Sequence, residues 1–166
     1  MSITIVAYDS RWPQHFDVVK RKLTGAVGNR AMRIEHIGST AVPGLAAKPV
    51  IDILVEVKSV KDPVLQAALE QSSFTLIVDE PGHRMFRFTN PAAHVHLWRT
   101  GDPEIRRHLL FRDWLQTNGD AQSVYEAEKR RLAARDWPTQ NDYAQAKAPV
   151  IDAILKRAKG KAKAAR

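Results

Sequence analysis

Cysteine is absent from the 166 residues. That excludes a disulfide framework, a thiolate nucleophile and any cysteine-ligated metal site. Long apolar runs are absent too, and none approaches the roughly 20 residues of a membrane span. The first dozen residues, MSITIVAYDSRW, show no basic segment leading into an apolar one, so no secretory signal is expected. Several well-known chemical motifs are also lacking. There is no Walker P-loop, no Gly-x-Gly-x-x-Gly, no Gly-x-Ser-x-Gly elbow and no His-Glu-x-x-His, which removes the main support for those chemistries. The expectation is a cytoplasmic domain with no membrane partner.

What is present is ordinary for a globular chain: 44% apolar and 27% charged residues, at a length that suits one domain with a sizeable core. The net charge of +8 is unevenly placed. The last eleven residues, KRAKGKAKAAR, carry six basic side chains and no acid. Taking those six from +8 leaves only +2 on the body. The tail reads either as a frayed, solvated helix end or as a contact for RNA or an anionic surface. The domain is drawn as residues 1–158, with 159–166 as a basic tail.

Hydrophobic periodicity gives an α+β order. Ser2 to Tyr8 reads as a strand, followed by a helix capped at Asp9 or Ser10 with Phe16, Val19 and Leu23 at helical spacing. Strands are expected over Arg33–Ile37, Val50–Val57, Phe74–Asp79, Met85–Thr89 and His94–Trp98, with a helix over Lys61–Ser72. From Asp102 onward the pattern is helical, and Pro149 should kink or divide the last helix near Ala148. Strands first and helices after predict a mixed sheet with a helical C-terminal layer against it.

The chemistry concentrates in HIGSTAVPGLAAKPVIDILVEV, His36 to Val57. Alternation puts Ile51, Ile53, Val55 and Val57 on one strand face and Val50, Asp52, Leu54 and Glu56 on the other. A carboxylate in so apolar a run needs a partner. A metal, water or a cation such as Arg87 would supply it. Gly38-Ser39-Thr40 follows a strand and offers backbone N–H groups and two hydroxyls to a phosphate, and Lys48 lies just before the Asp52 strand. His94 and His96 share a strand face as half of a metal site, an acid–base pair, or a solvated pair on an edge strand. Arg87 clamps an anion or forms a surface ion pair. His36, on the same face as Ile34, points inward and borders the site. Arg112 and Lys129 lie on helices from which a long side chain reaches the cleft, whereas Arg107, His108 and Asp113 read as a solvated helix face. Trp12, Trp98, Trp114 and Trp137 read as packing residues.

The segments EHIGSTAVPGLAAKPVIDILVEV, HRMFRF, HVHLW, HLLFRDWL and YEAEKRRLA…DYAQAKAPVI resemble the GrpB family, over Val6 to Ala158. Members of that family occur alone and as a C-terminal extension of some dephospho-CoA kinases. The resemblance implies a nucleotidyltransferase-like, polymerase-β-type mixed sheet with added C-terminal helices. In that superfamily a Gly-Ser turn grips the triphosphate, Asp-x-Asp holds Mg²⁺, and a third carboxylate on a neighbouring strand completes a two-metal site. Carried onto this chain, Gly38 and Ser39 form the turn and Asp52 is the first metal carboxylate. Leu54 stands where the second would be, and His94 and His96 occupy the strand of the third. Glu56 lies about 13 Å further along than Asp52 at the usual strand rise and does not replace it.

Two readings follow. In one, the chain is a divergent nucleotidyltransferase-like enzyme that takes a nucleotide or phosphorylated small molecule. Gly38, Ser39, Thr40 and Lys48 then hold phosphates, and Asp52, His94 and His96 hold a divalent ion, Mg²⁺ or Mn²⁺ ahead of Zn²⁺ or Fe²⁺. In the other, it is an inactive module that binds a nucleotide or CoA-related ligand, with Asp52 paired to Arg87. RNA binding by the tail is the least favoured reading.

Overall fold

The chain folds around one five-stranded mixed sheet, described by a computed structural model over residues 1–165. In chain order the elements are α1 (Trp12–Val27), β1 (Ala31–Ile37), β2 (Ile51–Val57), α2 (Pro63–Gln71), β3 (Thr75–Glu80), β4 (His83–Thr89) and β5 (Ala92–Arg99). Four helices complete it: α3 (Pro103–Thr117), α4 (Gly119–Ala133), α5 (Gln140–Ala146) and α6 (Ala148–Ala164). The strand order is β1-β2-β5-β4-β3, antiparallel throughout except for the parallel pair β2 and β5. That pair needs a long crossover, which α2 and the β3–β4 hairpin provide. The two edge strands, β1 and β3, each carry a register irregularity, at Ala31/Arg33 and Leu76/Val78.

Helix starts follow capping chemistry. The Asp62 carboxylate accepts from the backbone N–H groups of Val64 and Leu65, Asp102 from that of Glu104, and Asn118 from that of Ala121. Thr139 and Asp142 form a full capping box at α5. The expected cap of α1 differs. Asp9 precedes the helix and takes the Arg11 backbone N–H and guanidinium instead. Pro149 acts as foreseen, since the last helical segment breaks at Lys147 and resumes as α6.

The two sheet faces have different fates. Ile51, Ile53, Val55 and Val57 of β2, with Phe86, Phe88, Val95 and Leu97, pack under Val19 and Leu23 of α1 and Leu65 and Leu69 of α2. On the opposite face Leu54 and Ile37 lie beneath Ile105 of α3. Helices α3, α4 and α6 form their own core from Phe111, Leu115, Tyr125, Ile154 and Leu155, joined by Val42 and Leu45 from the connection after β1. Helix α3 covers only part of this second face, and the rest is left open.

Residues 2–8 correct the expectation of a strand. Only an isolated bridge between Val6 and Ala47 forms there. Ile3 instead packs with Leu132 and Tyr143 of the helical layer, so its side chain is buried without pairing in the sheet. The basic tail is helical through Ala164 as the end of α6, and Arg166 lies outside the described residues. No helix among the described residues is long and apolar enough to cross a membrane.

The α1/α2 face carries the larger of the sheet's two apolar cores. Phe86 is fully buried at its centre, so Phe86→Ala should cost about 3–5 kcal/mol, read as a lowered midpoint in urea denaturation.

Candidate functional site

The uncovered part of the sheet is the floor of a cleft of about 790 Å³. Asp52 from β2, His94 and His96 from β5, and His83, Met85 and Arg87 from β4 all point into it. Period-two alternation and register explain the grouping. Asp52 pairs with His94 across β2 and β5, Met85 with His96 and Arg87 with His94 across β4 and β5. The facing wall comes from Ser39, Thr40 and Lys48, from Lys129 of α4, and from the α5 region with Lys147.

Gly38 joins the turn to the floor. Its φ of 72° is in the region that favours glycine. A Cβ added there would stand 2.7 Å from Asp52 Oδ2. The carboxylate therefore sits directly beneath the turn, with its other oxygen facing the histidines. Asp52 Oδ1 lies 3.5 Å from His96 Nε2 and 3.8 Å from His94 Nδ1. Burial acts to raise the Asp52 pKa. The hydrogen bond and charge of His96, with His94 and Lys147, outweigh it and hold Asp52 below the usual carboxylate range.

Three lysines lie around Asp52. Lys129 is only 2% exposed. Its Nζ donates to Ser39 Oγ at 3.0 Å and to the Ala46 carbonyl, and lies over the Tyr125 ring. Burial, reinforced by Lys147, lowers its pKa to about 7. Lys147 and Lys48 are also lowered by burial, with Asp52 opposing the shift in both. Lys48 Nζ donates to Gln140 Oε1 at 2.8 Å, linking the floor strand's approach to α5.

The expected residues divide accordingly. Gly38, Ser39, Thr40, Lys48, Asp52, Arg87, His94, His96 and Lys129 are gathered at the cleft and the turn above it. Arg87 is at the floor, but the close partners of Asp52 are the two histidines. His36 points inward on the α1 face, away from the cleft. It stacks on Phe16 at 4.8 Å, and its Nε2 is 2.9 Å from Thr40 Oγ1, so it buttresses the turn from behind. Burial lowers its pKa to about 4, which keeps it neutral. Arg112 is turned to β1, where its guanidinium donates to Glu35 at 2.7 Å and to the His36 carbonyl at 3.1 Å. His108 is half-buried beside His96 and Trp98, with its pKa lowered to about 4 by burial.

His83 and Lys147 are further site residues. His83 was hidden because the strand was drawn from Met85, yet His83, Met85 and Arg87 continue one alternation. Lys147 carries no local signal beyond its position before Pro149.

The donor set can be tested against a metal. Ligand atoms held at 2.0–2.1 Å around one tetrahedral ion stand roughly 3.4 Å apart, near the spacings from Asp52 to the two imidazoles. One carboxylate with two imidazoles is a donor set for a borderline ion, and a two-Mg²⁺ carboxylate site has no second ligand here. Leu54 is 0% exposed, under Ile105. Among the described residues, no group of three or more histidine, aspartate or glutamate side chains is placed to hold a metal ion as it stands.

The fold is that of the polymerase-β-like nucleotidyltransferases. A structure of the Cid1 poly(U) polymerase with MgGTP superposes with a TM-score of 0.54 at 13% identity, over 81% of this chain and 45% of that one. Within that class the chain belongs to the GrpB family, whose model, GrpB protein, matches residues 2–157. The crystal structure of a conserved GrpB protein from Enterococcus faecalis shares 32% identity over 95% of this chain and 98% of that one, with a TM-score of 0.83. A UPF0157 protein of Halalkalibacterium halodurans is 41% identical over 95% of this chain and 83% of its own length. A dephospho-CoA kinase of Mycolicibacterium paratuberculosis is 31% identical over 94% of this chain, which spans only 46% of that protein.

Two substitutions probe the site's construction. Gly38→Ala should destabilise by about 1–3 kcal/mol through backbone strain and displace Asp52, visible as shifted His94 and His96 resonances. Leu54→Asp should cost at least about 3 kcal/mol in urea denaturation, because it puts an unpaired charge in an apolar cluster.

Proposed function

We propose that the cleft binds a nucleotide or another phosphorylated small molecule in a cytoplasmic setting. The observation that carries this is the convergence of Lys48, Lys129 and Lys147 around Asp52, in a cleft whose lining sets these lysines and Arg87 against two acids, Asp52 and Glu80. Three partly desolvated cations repel one another, and an anionic ligand with more than one negative charge relieves that repulsion. The Ser39 hydroxyl stands at the same wall, where it accepts from Lys129 and keeps its own O–H for a phosphate oxygen, while the Thr40 hydroxyl is held by His36 and braces the turn.

Group transfer is the fuller form of this reading. A divalent ion, Mg²⁺ or Mn²⁺ first and Zn²⁺ or Fe²⁺ second, would be held by Asp52 with His94 and His96. It would supply positive charge against the transferring phosphorus centre. The residues themselves bind and orient: the lysines hold the phosphates, and Asp52 accepts from a hydroxyl or holds the ion.

The second reading, binding without turnover, is favoured by one specific observation. Leu54 fills the position of the second carboxylate and is fully covered by α3. Phosphoryl transfer depends on positioned charge, so a missing carboxylate removes much of its driving force. The GrpB-like segment of the mycobacterial dephospho-CoA kinase would, on this reading, be a ligand-binding unit beside a kinase. Turnover of a nucleoside triphosphate with a panel of acceptors, abolished by Asp52→Ala, would decide for the enzyme.

Calorimetry with ATP and with pyrophosphate tests binding itself. Lys129→Met and Lys147→Met should each weaken affinity about tenfold or more, the worth of a charge-assisted hydrogen bond. Absence of binding at millimolar ligand overturns the reading. A bound anion stabilises the charged form of Lys129, whose pKa is near 7 in the free protein. Affinity is therefore full below pH 7 and falls as pH rises through and above it, with proton uptake on binding.

A further inference from the structure

The cleft floor contains a second contact between imidazoles. His83 Nε2 and His96 Nδ1 face each other at 3.2 Å, while the other nitrogen of His96, Nε2, faces Asp52 at 3.5 Å. The other nitrogen of His83, Nδ1, faces Glu80 at 3.6 Å. The four groups thus form a line from the cleft carboxylate under the Gly38 turn to a carboxylate at the end of β3. Trp98 fixes the plane of His83, with the two rings stacked 4.0 Å apart and 16° from parallel. The ring of His83 is also within 5.4 Å of that of His96 and nearly parallel to it.

We propose that His83 is a positioning residue that sets which nitrogen of His96 carries the proton, and so how His96 presents itself to Asp52 and to whatever enters the cleft. The inference deepens the ligand-binding reading of this cleft without requiring that any particular ligand binds. Only one nitrogen of a neutral imidazole bears hydrogen, and the other is an acceptor. Across the 3.2 Å contact one ring donates and the other accepts. Two neutral arrangements satisfy this.

In the first, His83 Nε2–H donates to His96 Nδ1, and His96 Nε2–H donates to the Asp52 carboxylate. In the second, both protons sit on Nδ1. His96 then donates to His83 Nε2, His83 directs its Nδ1–H toward Glu80, and His96 Nε2 is bare. A bare nitrogen facing the Asp52 carboxylate at 3.5 Å sets lone pair against lone pair. The first arrangement leaves His83 Nδ1 bare toward Glu80 instead, but that side chain is 67% exposed and is free to turn to water. The metal-free protein therefore takes the first arrangement. An imidazole that ligates an ion must present a bare nitrogen, so an ion held by His96 Nε2 would call for the second. The two rings change tautomer together, and His83 is the partner that makes either state complete. Burial and the neighbouring His96 lower the pKa of His83, against the opposing influence of Glu80 and Asp102.

The test is imidazole ¹⁵N NMR on the full chain, without metal and at mildly alkaline pH. Wild type should show Nε2–H tautomers for both His83 and His96 and a through-hydrogen-bond coupling between His83 Nε2 and His96 Nδ1. His83→Phe keeps a flat ring on Trp98 but removes the donor. It should abolish the coupling and reduce the His96 tautomer bias roughly fivefold, the size set by one net hydrogen bond. His83→Gln, which restores an N–H near the same place, should recover most of the bias. Zn²⁺, used as a diamagnetic probe, should move wild-type His83 and His96 to Nδ1–H together. An Nδ1–H tautomer at His96 in the metal-free wild type overturns the proposal. So does a His96 signal unchanged by His83→Phe in a protein whose amide spectrum is otherwise that of wild type. Failure of phosphate binding leaves these resonances untouched and counts only against the ligand reading.

Discussion

The parallel register of β2 against β5 is the constraint on which the site rests. It sets Asp52 beside His94 and Leu54 beside His96, while Ile53 and Val55 fall beside Val95 and Leu97 on the other face. Side chains alternate along a strand, so a slip of β2 by one residue would push Asp52 into the α1/α2 core, away from the histidines, and bring isoleucines into the cleft. Burial of the apolar face therefore fixes the polar one. The hydrophobic core under α1 and α2 is what aims the carboxylate.

From that register the remaining parts follow. Gly38 lets the turn descend onto Asp52, because any side chain there would occupy the carboxylate's place. His36 and Phe16 support the turn from the opposite face, and Lys129 ties Ser39 to α4. The cleft thus has a floor of histidines and an acid, and a wall of lysines. This division of charge distinguishes it from a carboxylate-lined two-metal centre, although the polymerase-β-like backbone is retained.

Much of this was legible in the sequence because it depends on local pattern. The strand alternation over residues 50–57 identified Asp52 as outward, and HVH placed two imidazoles on one face. The Pro149 break followed from proline's missing N–H. Other features depend on distant contacts and left no local trace. The β-branched start, residues 2–8, has strand propensity, but its Ile3 is buried by α4 and α5 rather than by a sheet neighbour. Arg112 had the length to reach the cleft, yet Glu35 and the His36 carbonyl on β1 capture it. His108 read as solvated because a helix wheel cannot reveal that Trp98 and His96 lie above it. Lys147 is defined as a site residue only by the packing of α5 and α6.

The irregularities in β1 and β3 have a consequence for the molecule's outer boundary. Both strands lie at the sheet's margins, and each has a place where the regular ladder is broken. A strand arriving from another molecule would meet interrupted hydrogen-bonding spacing on either side, with Arg33 exposed at one margin and Asp79 at the other. Each margin of the sheet is thus interrupted by its own geometry, in the same molecule whose cleft face stays open.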